Sequence, residues 1–361
     1  MAWREAGEPF WRNEPKPAEL VIRIRYDDAE IGGRFMTILI HCRAAATAIL
    51  ATGLIAASPA GAQTYPNRVV HLVVPYAPGG TGDIVARLIG DKLAGALGQS
   101  VVIENRPGAS GAVGTQSVAT AAPDGYTLLV GQTGEIAINP HWGKGTGYDP
   151  EKDLQPIALA SIVPLALVVP GKANYSTVAE MLKVSKERGL SFASAGIGTP
   201  GHFAGELLRL KGQGKLTHVP YKGAGPALND LLGGHVDLFF SGFPAAVPHV
   251  KAGTLKLLAI SSGKRTAAAP EVPTVAEASG IRGFDITLWQ GFFAPKGTPK
   301  EIVIRLNSEI NKILGQSDIK AKLLEAGADV STIPIEQFAT FVRVEGEKFR
   351  QLIKEGGIKA E

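Results

Sequence analysis

The chain has one cysteine in 361 residues, Cys42. A disulfide framework is excluded, and a single thiol offers little to a metal site. The short motifs of common catalytic sites are missing as well. No G-x-S-x-G elbow occurs, although Gly108-Ala109-Ser110-Gly111 resembles one in outline, and there is no H-E-x-x-H zinc pair. His71, His141, His202, His218, His235 and His249 are dispersed, and each reads as a cap, surface or core histidine. Acid pairs such as Glu271/Glu277 read as solvated charges. Charge of either sign is nearly balanced, 37 basic against 33 acidic residues, and no basic stripe carries interleaved aromatics. That argues against a nucleic-acid partner. No run beyond residue 62 reaches the roughly 20 apolar residues that a membrane-spanning helix needs.

What is present begins with an export signature. Arg34 and Arg43 flank Met36, an apolar stretch runs from Ala44 to Ala57, and Ala60-Gly61-Ala62 offers an A-x-A cleavage pattern before Gln63. Residues 36–62 are read as a signal peptide and 1–35 as a leader upstream of the true start at Met36, with a long, disordered n-region as the alternative. The apolar stretch is too short to span a bilayer. Cys42 falls inside this signal, so the mature chain would have no thiol, and a periplasmic location is expected. The mature chain of 299 residues keeps the net charge of +4. Its length suits two domains, and its mild positive excess suits an anionic ligand.

Apolar strand-like runs alternate with helical patterns along residues 65–361. Examples are Val69–Val74, Ile157–Ile162, Leu165–Val169 and Ile286–Phe293 for strands, and Asp83–Leu97, Val178–Arg188, Gly201–Lys211 and Ile335–Glu355 for helices. The pattern predicts an α/β protein of mainly parallel sheets covered by helices. Two long extended passages, near 153–170 and 283–295, suit a chain that crosses between lobes and returns. The expected division is 65–163 plus 287–361 for lobe 1 and 164–286 for lobe 2.

The candidate site lies in the strand-to-helix turns. Tyr76-Ala77-Pro78-Gly79-Gly80-Thr81-Gly82-Asp83 follows an apolar strand and opens a helix. A helix start presents free N–H groups and the positive end of its dipole, and the glycines let an anion approach the backbone. A tight βα turn without a ligand is the plain alternative. A second such turn, Ser194-Ala195-Gly196-Ile197-Gly198-Thr199-Pro200-Gly201-His202, contains G-x-G-x-x-G. No Asp or Glu stands near Val219–Lys222 to bind a ribose, so a dinucleotide is not expected and no cofactor is predicted. Ser194 and Thr199 add hydroxyl donors there. A third loop holds Tyr221 and Lys222, the latter read as a solvated lysine. A fourth is Gln132-Thr133-Gly134, after the strand Thr127–Val130. Four polar loops beyond strand ends, divided between two lobes, describe a cleft.

These residues resemble the extracytoplasmic solute receptors of tripartite tricarboxylate transporters, the Bug-type receptors. The resemblance runs through Tyr65-Pro66, Val74–Asp83, Glu104-Asn105-Arg106-Pro107-Gly108-Ala109, Pro123-Asp124-Gly125-Tyr126-Thr127 and Ala137-Ile138-Asn139-Pro140. It continues in Tyr148-Asp149-Pro150, Pro220-Tyr221-Lys222-Gly223, Gly234-His235-Val236-Asp237 and Ala294-Pro295-Lys296-Gly297-Thr298-Pro299. It implies a two-lobed, type II periplasmic-binding fold. It also implies a carboxylate held by backbone amides, hydroxyls and waters rather than by an arginine clamp. Together with the reading of the turns, which adds Tyr221, the expected ligand-binding positions are Tyr76, Ala77, Pro78, Gly79, Gly80, Thr81, Asp83, Gln132, Thr133, Gly134, Ser194, Ala195, Gly196, Gly198, Thr199, His202 and Tyr221. Gln132-Thr133-Gly134 and His141–Gly147 depart from the family's usual residues, which bears on ligand specificity.

The expected function is therefore capture of a small organic carboxylate by a monomer and its delivery to transporter membrane subunits, without covalent chemistry. A carboxylate sensor with a signalling partner would present the same cleft. A secreted enzyme of this architecture would need a nucleophile–base pair, and none can be assembled here.

Overall fold

The computed structural model describes residues 65–142, 145–325 and 327–356; the leader, the signal with Cys42, its cleavage site and the pair Gly143-Lys144 lie outside the described residues. From Tyr65 the chain enters β1 (Val70–Val74), whose Val70, Leu72, Val73 and Val74 are fully buried. The helix α1 (Thr81–Leu97) buries Val85, Ile89, Leu93 and Leu97 at helical spacing. It ends where Gly98 takes a left-handed conformation, φ 68°. The segments β2 (Val101–Asn105), α2 (Ala112–Ala119) and β3 (Thr127–Gln132) follow, and both strands pair parallel with β1.

A short helix, α3 (Pro150–Asp153), leads into the long strand β4 (Leu154–Pro170). Next come α4 (Val178–Arg188), β5 (Leu190–Ser194), α5 (Pro200–Gly212), β6 (Leu216–Pro220), α6 (Ala224–Gly233), β7 (Leu238–Gly242), α7 (Phe243–Lys251) and β8 (Leu255–Ile260). Here β6 and β7 pair parallel with β5. The chain returns through α8 (Val275–Ser279) and β9 (Thr287–Pro295), and closes with α9 (Lys300–Gly315), α10 (Ser317–Glu325), β10 (Asp329–Val330) and α11 (Ile335–Gly356).

The strands lie in the order β2-β1-β3-β9-β4-β7-β5-β6, with β8 and β10 also paired to β4. The expectation of mainly parallel sheets holds for the outer three strands of each half. The ladders β3–β9, β9–β4 and β4–β7 are antiparallel. The reason is topological: β4 carries the chain into the second half and β9 carries it back, so they must run in opposite directions. The sequence shows 157–169 as two apolar runs, whereas the structure makes one strand of it. Pro164 marks the place where β4 leaves β9 and takes up β7 and β8. A residue without an N–H is best tolerated where a ladder ends.

One helix beside the site has no clear sequence signature. Pro244 and Pro248 in α7 look like breakers, yet Pro244 stands in the first turn, where no intrahelical N–H is required. The strand before it, Leu238–Gly242, runs up to the N-cap glycine of α7.

Candidate ligand-binding site

β1 delivers the chain to Tyr76–Gly80, and α1 begins at once. Gly79 has φ 86°, a conformation that favours glycine. Gly80 is the N-cap of α1 and no side chain caps that helix. Asp83, in the first turn, folds back on its own loop. Its Oδ2 accepts the Gly79 N–H at 3.1 Å and Arg87 Nε at 3.0 Å; its Oδ1 accepts Arg87 Nη2 at 2.9 Å and Asn105 Nδ2 at 3.0 Å. Burial pushes this carboxyl up, but the hydrogen bonds from Arg87, Gly79 and Asn105 hold it below its ordinary value. Its charge is matched locally and does not stand alone against an incoming anion.

On the opposing side β5 ends at Ser194 and α5 starts at Pro200, a good first helical residue. Ser194 Oγ accepts the Gly196 N–H at 3.1 Å and lies 2.7 Å from His218 Nε2. Thr199 Oγ1 donates to the Gly196 carbonyl at 2.7 Å, so it does not cap α5 although it stands at the N-cap. β6 leads to Gly223 at the start of α6, and β7 leads to Gly242 at the start of α7; neither helix has a side-chain cap. Elsewhere Asp149 caps α3, Thr177 caps α4 and Thr274 caps α8, while α2 and α9 also start without a side-chain cap.

Four uncapped helix starts, those of α1, α5, α6 and α7, meet. Gly80–Asp83, Thr199–Gly201, Ala224 and Gly242 line one cavity of about 50 Å³. Unpaired N–H groups and four positive dipole ends therefore converge on one small volume. No Lys, Arg or His among the described residues lines it. Tyr76, Thr81, Gln132 and Thr199 supply polar side chains, and Leu165, Phe239, Phe240 and Leu288 supply apolar wall. The Thr81 hydroxyl is buried without a partner. A volume this size holds a few waters.

The third wall comes from β3. Gly134–Ile138 forms a π-helical turn, a conformation concentrated at functional sites. A Cβ on Gly134 would lie 2.8 Å from Tyr76 Oη, so a larger residue there would have to displace the Tyr76 hydroxyl. Glu135 is wholly buried: its Oε1 accepts the Gln132 N–H at 2.5 Å and its Oε2 lies 2.8 Å from Tyr76 Oη. Burial pushes its carboxyl up to about 8, against the opposing pull of the Tyr76 and backbone hydrogen bonds. Thr133 turns the other way and accepts the Trp289 N–H at 2.9 Å.

Behind the second turn lies an aromatic stack. His202 and His218 stand face to face, ring centroids 4.0 Å apart. Phe192 flanks His218 at 4.8 Å, and Trp142 flanks His202 at 5.2 Å. Burial lowers His202 to about 4; burial and then the neighbouring His202 lower His218 to about 3. Both rings are neutral near pH 7 and support the turn by packing. No group of three or more His, Cys, Asp or Glu suited to a metal occurs among the described residues.

Of the positions expected from the sequence, Tyr76, Ala77, Gly80, Thr81, Asp83, Gln132, Gly134, Ala195 and Thr199 line the cavity. Gly196 and Tyr221 line a neighbouring recess, and the Tyr221 hydroxyl donates to Asp230 at 2.6 Å. Pro78 and Gly79 stand at the mouth against Gly225. Thr133, Ser194, Gly198 and His202 are not in the lining. Sequence reasoning missed Ala224, Gly242 and the apolar wall. The signal for Gly242 was a strand, a glycine and then a helix, hidden by the prolines of α7.

Comparison with known proteins fits this geometry. Residues 85–358 match the model of the tripartite tricarboxylate transporter family receptor. A protein from the tcbD-tcbE intergenic region of Pseudomonas sp. strain P51 is 38% identical over 298 residues, covering 82% of this chain and 88% of its own. Among solved structures, the periplasmic binding protein BugD has a TM-score of 0.79 at 35% identity, covering 82% of this chain and 100% of that one. MatC from Rhodopseudomonas palustris with bound malate has a TM-score of 0.76 at 36% identity, covering 80% of this chain and 100% of that one. The chain belongs to the tripartite tricarboxylate transporter receptor family, a family of two-lobed binding proteins rather than enzymes.

Proposed function

We propose that this tripartite tricarboxylate transporter receptor captures a small organic carboxylate between its two lobes and hands it to transporter membrane subunits. The observation that carries the reading is the convergence of four helix starts without side-chain caps on one cavity that has no basic side chain. Backbone N–H groups and dipoles then do the work an arginine would otherwise do. The malate bound by MatC, a relative of this chain, supports a carboxylate of similar size. The ligand joins the lobes 65–163 plus 287–361 and 164–286, and so stabilises the closed form. The protein acts as a monomer in the periplasm after removal of the signal peptide, residues 36–62. No helix among the described residues is long and apolar enough to cross a membrane.

Calorimetry of residues 63–361 with malate, other small acids and their neutral amides tests the binding step. The acids should bind and the amides should not; equal binding of both would refute an anion site. N-terminal sequencing of the periplasmic fraction should find Gln63. Loss of cellular uptake of the bound acid on deletion of the gene tests delivery.

A further inference from the structure

Proton counting around one buried phenol raises a question that the cavity lining does not answer. Tyr76 Oη lies 3.1 Å from the Ser110 carbonyl and 2.8 Å from Glu135 Oε2. A phenol has one proton, and a carbonyl oxygen can only accept. An ionised carboxylate can only accept as well. With Glu135 ionised, one of these two close contacts would be oxygen against oxygen with no proton between them. With Glu135 protonated, its O–H donates to Tyr76, Tyr76 donates to Ser110, and Glu135 Oε1 still accepts the Gln132 N–H. Every contact is then a hydrogen bond.

The surroundings agree. Glu135 is wholly buried, and among the described residues no Lys, Arg or His pairs with it. The titratable groups facing it are Tyr76 and Tyr148, whose hydroxyl donates to the Glu135 main-chain carbonyl at 2.7 Å. On α11, which packs against this turn, Glu345 and Lys348 pair with each other and Glu345 takes the Trp289 indole N–H. A buried carboxyl without a cation is expected to stay neutral.

The two groups that Glu135 holds, Tyr76 and Gln132, both line the cavity. We infer that Glu135 is the positioning residue of the ligand site and acts as a neutral acid, fixing Tyr76 and Gln132 without setting a negative charge behind an anion site. This inference rests on the proposed carboxylate site. It adds a consequence that the site alone does not have: affinity should depend on a proton that the ligand never touches. Loss of that proton turns a donor into a charge, misaligns Tyr76 and repels the ligand.

The test has a ligand-free arm and a ligand arm. Without ligand, thermal melting of the wild type and of Glu135→Gln is followed from pH 5 to 9. A carboxyl whose proton is held more tightly in the folded state loses stability as pH rises from its unfolded value, about 4.3, to its folded value. The wild type should therefore lose melting temperature relative to Glu135→Gln between about pH 4.5 and 8. With malate as probe, wild-type affinity should be steady below pH 7 and fall about tenfold by pH 9, since only the protonated fraction is competent. Glu135→Ala should weaken binding at pH 7. Glu135→Gln, whose amide donates to Tyr76 and accepts from Gln132, should rescue it and remove the pH dependence. Parallel melting curves for wild type and Glu135→Gln would overturn the neutral acid whether or not malate binds. A malate affinity that falls with pH equally in both would overturn the coupling. Absence of malate binding at every pH, with diverging melting curves, would overturn the link to this ligand and leave the acid's protonation established.

Discussion

The amide of Ala77 donates to the carbonyl of Lys222 at 3.1 Å, backbone to backbone across the mouth of the cleft. Ala77 stands on the loop after β1 and Lys222 on the loop before α6, so this bond joins the two halves directly. The glycines around it show how close the approach is. A Cβ on Gly225 would fall 2.2 Å from the Pro78 carbonyl oxygen, and one on Gly223 would fall 2.9 Å from the Ala77 nitrogen. Main chain meets main chain here because side chains are missing where they would obstruct it.

Gly225→Ala should therefore hold the mouth open. Alanine favours the helix over glycine by about 0.5–1 kcal/mol, so the ligand-free protein should melt no earlier than the wild type. Affinity should fall by about tenfold or more, since closure is part of binding. Small-angle scattering with saturating ligand should show the wild type contracting and the variant remaining expanded. Wild-type affinity in Gly225→Ala would refute this role for the seam.

Two threonines at equivalent helix starts should behave in opposite ways. Thr81 has a buried hydroxyl without a partner, and Thr199 donates its hydroxyl to Gly196. Thr81→Val removes an unsatisfied buried group, so ligand-free stability should hold or rise while binding weakens by about ten- to a hundredfold. Thr199→Val removes a turn bond and should cost about 1 kcal/mol of stability before any effect on ligand. Paired melting and calorimetry on both variants check this. An early-melting Thr81→Val with intact affinity would mark Thr81 as structural.

Acid should attack the stacked histidines. Their folded values, about 4 for His202 and about 3 for His218, lie below the ordinary value near 6.5. Between those limits the unfolded chain binds protons that the folded one refuses. Stability is therefore full above about pH 6.5 and is lost as the pH falls toward 4. His218→Gln should flatten the acid side of the melting profile. An unchanged slope below pH 6 would show that other groups carry the acid sensitivity.

Much of this was legible in the sequence because backbone geometry is written in short patterns. The expected helix Val178–Arg188 matches the structure to its ends, where Thr177 and Glu180 form a capping box. The Tyr76–Asp83 turn was legible from its glycines. What was hidden depends on contacts distant in the chain. The apolar wall joins Leu165, Phe239 and Leu288 from three strands, and single-strand patterns show burial without showing what it surrounds. Ser194 and Thr199 read as donors facing a cleft, yet their hydroxyls bond within their own turn. Glu135 carried no signal, because an acid among apolar residues looks like any acid until its partners are seen.

Trp142 offers an optical test of closure. It stands on the first side, after the turn Asn139–His141, and its ring lies 5.2 Å from both His202 and Phe203 of α5. Its indole Nε1 is buried without a hydrogen-bond partner. Trp289, the other tryptophan of the described residues, is fully buried and donates to Glu345. Parting of the two sides would bring water to Trp142 and leave Trp289 in its core, so ligand binding should shift the emission to the blue through Trp142. Trp142→Phe should abolish that shift while malate still binds by calorimetry, and Trp289→Phe should retain it. A full shift in Trp142→Phe would place the moving contact elsewhere. A lost shift together with lost binding is resolved by Gly225→Ala at saturating malate: if its emission stays to the red of the wild type with malate, Trp142 reports the opening, and if the two coincide, it does not.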